Sequence, residues 1–215
     1  MEGNIKDLII IGCGGFGREV ASLVERINEK RVEWNLLGFL DDNPPNSKVA
    51  NIIVLGKVND ANKFLNCYFV ISLGNPQTKK DVLNNLPSNC QFATLIHPHV
   101  EIGDRNRIGV GSIICAGTII TVDTRIGNHV ILNLGCTVGH DTFIGDYVSI
   151  MPSTNISGEV EIEESVYIGT GTKIINQVKI GRNAILGAGS VVSKSIPDNC
   201  TAVGVPAKPI KFHNA

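Results

Sequence analysis

Between residues 96 and 192 every sixth residue is aliphatic: Ile96, Ile102, Ile108, Ile114, Ile120, Ile126, Leu132, Val138, Ile144, Ile150, Ile156, Ile162, Ile168, Ile174, Ile180, Leu186 and Val192. A period of six matches neither the 3.6-residue turn of an amphipathic helix nor the two-residue alternation of a half-buried strand. It fits a coil of three short flat strands per turn, in which the aliphatic residue points inward on each face. Four places after each aliphatic residue a small or β-branched one fills the space near the corner, as in Ser112, Thr118, Thr124, Val130, Cys136, Thr142, Val148, Thr154, Val160 and Val166, with Asn106 the exception. Glycine or a small polar residue often follows the aliphatic one, as in "IGVGSI" and "LGAGSV", where the chain must turn. Three hexads make a coil, so the run forms between five and six coils. The register never slips, so no long loop leaves the prism.

The stretch before it has a different grammar. Residues 1–95 alternate apolar runs with helix-like segments ("DLIII", "GREVASLVERINEK", "LLGFLDD", "IIVLG", "VNDANKFLN", "CYFVISLG", "PQTKKDVLNNL"), the order of a parallel α/β unit. There is room for half a Rossmann-type sheet. The expected organisation is therefore an α/β domain over 1–95 and a parallel β-helix with a C-terminal tail over 96–215. At the start, "LIIIGCGGFGREV" carries Gly12, Gly14 and Gly17 in the G-x-G-x-x-G spacing of a dinucleotide fingerprint. Any tight strand-to-helix turn with close packing selects glycine too. From these residues alone, a nicotinamide enzyme and a purely structural turn both stay open.

Bulk properties remove several classes. Nineteen Lys and Arg against twenty Asp and Glu leave no charge excess to draw a nucleic acid or an anionic membrane. No apolar stretch approaches bilayer length, and "MEGNIKDLIIIG" lacks a basic segment followed by a long apolar one, so a cytoplasmic protein is expected. Six cysteines (Cys13, Cys67, Cys90, Cys115, Cys136, Cys200) without a C-x-x-C pair point to free thiols rather than zinc or disulfides. The five histidines lack the close spacing of a zinc site, so no metal is expected.

One pair within the repeat can carry chemistry. In "ILNLGCTVGHDTFIGD", His140 and Asp141 fall at hexad positions that project from a face or corner. Imidazole accepts a proton near neutral pH, and an adjacent carboxylate can orient it and raise its basicity. A surface His–Asp pair without a role fits these letters equally well.

Residues 96–192 with the tail "VVSKSIPDNCTAVGVPAKPIK" resemble the hexapeptide-repeat acyltransferases, and "GCGGFG" with "FLDD" in front narrows the resemblance to the sugar O- and N-acetyltransferases of the bacterial NeuD/PglD type. The resemblance covers essentially the whole chain. It implies a left-handed parallel β-helix assembled as a homotrimer, acetyl-CoA as co-substrate, and a nucleotide-linked sugar as acceptor. It also implies His140 as catalytic base, Asp141 as its basicity partner and Asn133 as a substrate-side contact. Gly14, Gly15 and Phe16 would lie along the nucleotide sugar, Asp41 and Asp42 would meet ribose or base, and Gly74 with Asn75 would close that pocket. Ser149, Thr170 and Ala188 would lie beside the thioester and pantetheine. The expected reaction is N-acetylation of the 4-amino group of a UDP-linked 4-amino-4,6-dideoxy sugar. Sialic acid O-acetylation, N-acetylation of a GDP-linked amino sugar and a non-catalytic nucleotide-binding protein are its alternatives.

Overall fold

In the computed structural model, which describes residues 5–213, the opening apolar run is strand β1 (Lys6–Ile11), the centre of a six-stranded sheet. The described residues divide into two units after Pro98.

In the first unit β1 lies between β2 (Trp34–Leu40) and β5 (Tyr68–Ile71), parallel to both. With β3 (Lys48–Val49), β4 (Ile52–Gly56) and β6 (Gln91–Phe92) the order is β3-β4-β2-β1-β5-β6, and only the short β3 runs antiparallel. Leu8, Ile9, Ile10 and Ile11 are fully or almost fully buried, as the central strand of a parallel sheet requires. Helix α1 (Gly15–Lys30) buries Gly17, Val20, Ala21 and Val24, a spacing that puts them on one helical face. Helix α2 (Pro76–Asn85) starts with Pro in its first turn behind Asn75, whose side chain accepts the Thr78 N–H at 3.0 Å. The helix-like stretch "VNDANKFLN" forms a 3₁₀ helix over Val58–Phe64 instead of an α-helix. A segment this short gains few helical bonds, and its start is held by Asp60 and Asp42, which accept the Lys57 and Val58 N–H groups.

In the second unit each hexad is a two-residue strand whose second member is the aliphatic residue, and strands stack eighteen residues apart in parallel register. Three faces result. The first carries Glu101–Ile102, Ile119–Ile120, Thr137–Val138, Asn155–Ile156, Lys173–Ile174 and Val191–Val192. The second carries Arg107–Ile108, Arg125–Ile126, Phe143–Ile144, Glu161–Ile162 and Lys179–Ile180. The third carries Ile113–Ile114, Ile131–Leu132, Ser149–Ile150, Tyr167–Ile168 and Ile185–Leu186, and is extended by the hairpin Cys200–Gly204 and Ala207–Phe212.

From Ile114 to Val192 every inward aliphatic residue is buried. Ile102 is 41% exposed and Ile108 half-buried, because their strands have a described partner on one side only. Corner residues fill the remaining space, and their hydroxyls bond down the stack: Ser112, Thr118, Thr142 and Thr172 each donate to the carbonyl fifteen residues on, at 3.1–3.2 Å. The outlier Asn106 does related work at the first coil, donating to the Gly103 and Thr121 carbonyls and accepting from Thr124.

Candidate active site

His140 and Asp141 stand on the edge where the first face turns into the second. At this edge each coil places a non-glycine residue in the left-handed region: Arg105, Asp123, Asp141, Glu159 and Gln177, with φ between 56° and 60°. For side chains other than Asn and Asp this conformation is costly, so the stacked hydrogen bonds must hold it. The Asp141 N–H donates to the Val122 carbonyl at 3.2 Å and the His140 carbonyl accepts from Glu159 at 2.8 Å. The turn carries both side chains outward, where they are 56% and 59% exposed.

His140 Nδ1 lies 2.9 Å from Asp141 Oδ2. With Nδ1–H donating to the carboxylate, the Nε2 lone pair is left to accept a proton. The ring packs over Gly158, one coil below, where a Cβ would run into the imidazole. Gly158 thus fixes the ring from beneath while Asp141 fixes it from the side.

Thr170 and Ala188 occupy a different edge, where the third face turns into the first, and stack one coil apart with the Gly189 N–H donating to the Thr170 carbonyl at 2.8 Å. Both are exposed. Asn133 and Ser149 belong to the third face and its exit, and both are buried, at 7% and 0% exposure. Asn133 turns its side-chain oxygen onto the Leu134 N–H at 2.7 Å. His140 and Asp141 therefore do not converge with the expected acetyl-CoA residues within one chain: the pair is on one edge, Thr170 and Ala188 are on another, and Asn133 lies at the start of that second edge, apart from the pair it was expected to join.

In the first unit the chain leaves β1 towards β2 on one side and returns to β5 on the other, so the strand order reverses beside β1. The loops after β1 and β5 flank this switch point, where open α/β sheets bind ligands. Its glycines divide into two kinds. Gly12 has φ +97°, and a side chain on Gly17 would collide with the Gly12 backbone, so strand-to-helix packing accounts for both. Gly14 and Gly74 have open space where a Cβ would point, and Gly15 meets only the end of Arg18. Packing does not demand glycine there.

Helix α1 begins at this loop with no side-chain cap, which leaves its first N–H groups for a ligand. Asp41 shapes the loop, accepting the Cys13 N–H at 2.8 Å and the Asn43 N–H at 2.9 Å. Burial favours its protonated form, but these bonds outweigh it and hold the carboxyl below the usual aspartate range. Burial and the Asp41 carboxylate together push the Cys13 thiol up to about 11. Phe16 is half-buried, while Asp42 and Asn75 are exposed beside the bonds they make.

Two residues escape a reading of the sequence. Gly158 looks like one more corner glycine, and only the eighteen-residue offset from His140 marks it. Lys79 is 1% exposed on α2, with its ammonium pushed down to about 7 by burial, although nothing in "PQTKKDV" separates it from Lys80. Among the described residues no group of three His, Cys, Asp or Glu side chains could hold a metal ion, and no helix is long and apolar enough to cross a membrane.

Residues 7–86 match the PglD N-terminal domain and residues 159–194 match the bacterial transferase hexapeptide (six repeats). No curated protein matches the chain. Among solved structures it is similar to the acetyltransferase domain of PglB from Neisseria gonorrhoeae FA1090 in complex with acetyl coenzyme A, at 30% identity over 96% of this chain and 100% of that one, with a TM-score of 0.88. WeeI from Acinetobacter baumannii AYE gives 30% identity over 95% and 100%, with a TM-score of 0.85. PerB from Caulobacter crescentus, solved with CoA and GDP-perosamine, gives 26% over 97% and 99%, with a TM-score of 0.85.

Proposed function

The chain belongs to the sugar acetyltransferases of the PglD/NeuD type, enzymes with a left-handed β-helix that take acetyl-CoA as donor and an amino sugar as acceptor, and we propose that it acetylates the 4-amino group of a UDP-linked 4-amino-4,6-dideoxy sugar with His140 as general base. The observation that carries the mechanism is the exposed imidazole held by Asp141 at 2.9 Å, with its second nitrogen left to accept a proton.

The C4 amine attacks the thioester carbonyl while His140 Nε2 takes its proton, and the Asp141 carboxylate stabilises the imidazolium. The carbonyl oxygen gains charge, for which backbone N–H groups of the donor groove are the donors. When the C–S bond breaks, the proton on His140 goes to the leaving CoA sulfur. No covalent acyl-enzyme is needed. Cys136 is buried and pushed up to about 11, chiefly by that burial, and Cys13 is raised equally far, so neither offers a thiolate at neutral pH.

Thr170 and Ala188 lie on a separate edge from His140. A groove holding both the base and the donor therefore takes one edge from each of two copies, and a closed ring of three copies supplies three such grooves. Asn133 and Ser149 are too buried to reach far into it. Their role is to shape its wall, with Asn133 at the start of the donor edge.

The nucleotide falls to the α/β unit. Gly14, Gly15 and Gly74 leave its surface open, Phe16 and Asn75 border it, and Asp41 and Asp42 keep free lone pairs beside the backbone bonds they already accept. The choice of uridine is carried over from the resemblance of "GCGGFG" and "FLDD" to the PglD type. A GDP-linked acceptor is the second reading, favoured by the PerB complex. The work belongs in the cytoplasm, where acetyl-CoA and sugar nucleotides are made. Steady-state assays of CoA release with UDP-, GDP- and dTDP-linked 4-amino sugars test the choice: the highest kcat/KM should fall on the UDP sugar, and preference for the GDP sugar overturns it.

A further inference from the structure

The corner ladder that carries Asp141 is mostly acidic. In coil order its left-handed residues are Arg105, Asp123, Asp141, Glu159 and Gln177, stacked by backbone bonds such as those from the Asp141 N–H to the Val122 carbonyl and from the Glu159 N–H to the His140 carbonyl. Neighbouring strands lie about 4.8 Å apart in any sheet, so Asp123 stands one coil above Asp141 and Glu159 one coil below. Like charges opposed in register repel one another. Each of the three carboxylates also favours a proton on the imidazole among them.

The two flanking carboxylates are engaged from outside. Arg105 holds Asp123 with a planar fork, Nε donating to Oδ1 and a terminal nitrogen to Oδ2, both at 2.7 Å. Gln177 donates to Glu159 at 3.1 Å, but an amide brings no charge. Among the five ladder residues Arg105 is the one cation. Its fork keeps the Asp123 carboxyl below the usual aspartate range. Asp123 in turn raises the guanidinium above its usual value, chiefly through the same bonds, and Asp104 and Asp141 add smaller contributions, so the field of Arg105 extends to Asp141. Arg105, Asp123 and Asp141 border one cavity of about 550 Å³, which Arg107 and Arg125 reach from the second face. The remaining charges around this edge are Glu161, paired with Lys179 at 3.1 Å, and on the first face Glu101 and Lys173, the latter turned onto the Ser153 carbonyl at 3.0 Å.

The Arg105–Asp123 pair is 65% and 37% exposed, and such surface pairs add little to folding. Its place one coil above Asp141 gives it another use. We propose that Arg105 is a positioning residue that sets the charge state of His140 through Asp123: by cancelling the Asp123 carboxylate it limits the negative field on the imidazole and keeps more of it free to accept a proton. The value of this to the reaction rests on the reading of His140 as base, and the experiment separates the two.

The test uses the full chain with Arg105→Gln, Asp123→Asn and the double variant, each checked for fold by circular dichroism. Two quantities are followed against pH: kcat/KM for the amino sugar, and the His140 ring signal in NMR, assigned as the one lost in His140→Ala. Arg105→Gln leaves Asp123 charged and should move both curves to higher pH, lowering the rate on the acidic side about two- to threefold at low salt, the worth of one charge roughly two strand spacings away in water-like surroundings. About 1 M salt, where the screening length is about 3 Å, should remove the difference. Asp123→Asn leaves Arg105 unopposed and should move both curves the other way, and the double variant should return close to wild type. A ring titration unmoved in Arg105→Gln overturns the proposal, and so does a double variant that keeps the full Arg105→Gln shift, which would make the loss structural. If the ring titration moves as expected while the rate profile stays put, the action of Arg105 on His140 stands and the reading of His140 as base fails.

Discussion

His140 is set by two neighbours, Asp141 at Nδ1 and Gly158 against the ring, and its side chain is 56% exposed. Replacing it with Ala should lower kcat by about two to four orders of magnitude while acetyl-CoA still binds, the scale expected for losing a general base. Asp141→Asn should cost less, because the amide can still orient the ring but cannot stabilise its charge. Single-turnover assays at saturating donor would show both, and an unchanged rate for His140→Ala would remove it from the chemistry. Gly158→Val should behave as a partial loss of His140, with kcat down and KM for acetyl-CoA unmoved, because the added side chain must displace the imidazole. At this scale the sequence was legible for the pairing itself, since His140 and Asp141 are adjacent letters and their side chains meet at 2.9 Å. It was mute about Gly158, whose contact spans eighteen residues, and about Lys79, whose burial depends on how α2 meets the sheet.

The strands of the prism are two residues long, so no single one is stable, and the stack holds through its inward column and its hydroxyl ladder. Ile144 is fully buried in that column, with Ile126 and Ile162 as register partners. Ile144→Ala should destabilise the protein by about 2–5 kcal/mol, from lost transfer energy and the cavity left behind. A urea titration followed by far-UV circular dichroism measures it; a loss under half a kcal/mol, as for a surface site, would show that the column does not hold the stack.

The hexad pattern predicted every strand from Ile102 to Val192, because a period of six has few solutions and each aliphatic letter reports one inward position. The first coil shows what periodicity omits: Ile102 and Ile108 keep the pattern yet stay partly exposed, since burial also needs a neighbour. The 3₁₀ helix at Val58–Phe64 departed from expectation for a related reason, its start being fixed by Asp42 from a distant loop.

On the proposed reading, assembly follows from a division of labour between edges. If the base of one copy works on the donor held by the next, two defective proteins can repair one another. Co-expression of His140→Ala with Ala188→Trp, which blocks the donor edge, should yield mixed oligomers that regain a sizeable fraction of wild-type turnover, while each variant alone remains inactive. Light scattering should give three copies in each case. Absence of recovery in verified mixed oligomers would put both edges' functions within one chain. The resemblance implied the homotrimer, whereas the division between edges needs each residue placed on the faces of the prism.

The acceptor chemistry itself is read most directly from the product. Purified protein incubated with acetyl-CoA and a UDP-linked 4-amino-4,6-dideoxy sugar should release CoA in equal amount to a new acetylated sugar nucleotide, whose NMR spectrum shows an alkali-stable amide at C4. The same mixture with His140→Ala should yield little of it. An alkali-labile ester, or CoA release that does not depend on the sugar nucleotide, would contradict amine acetylation by this site.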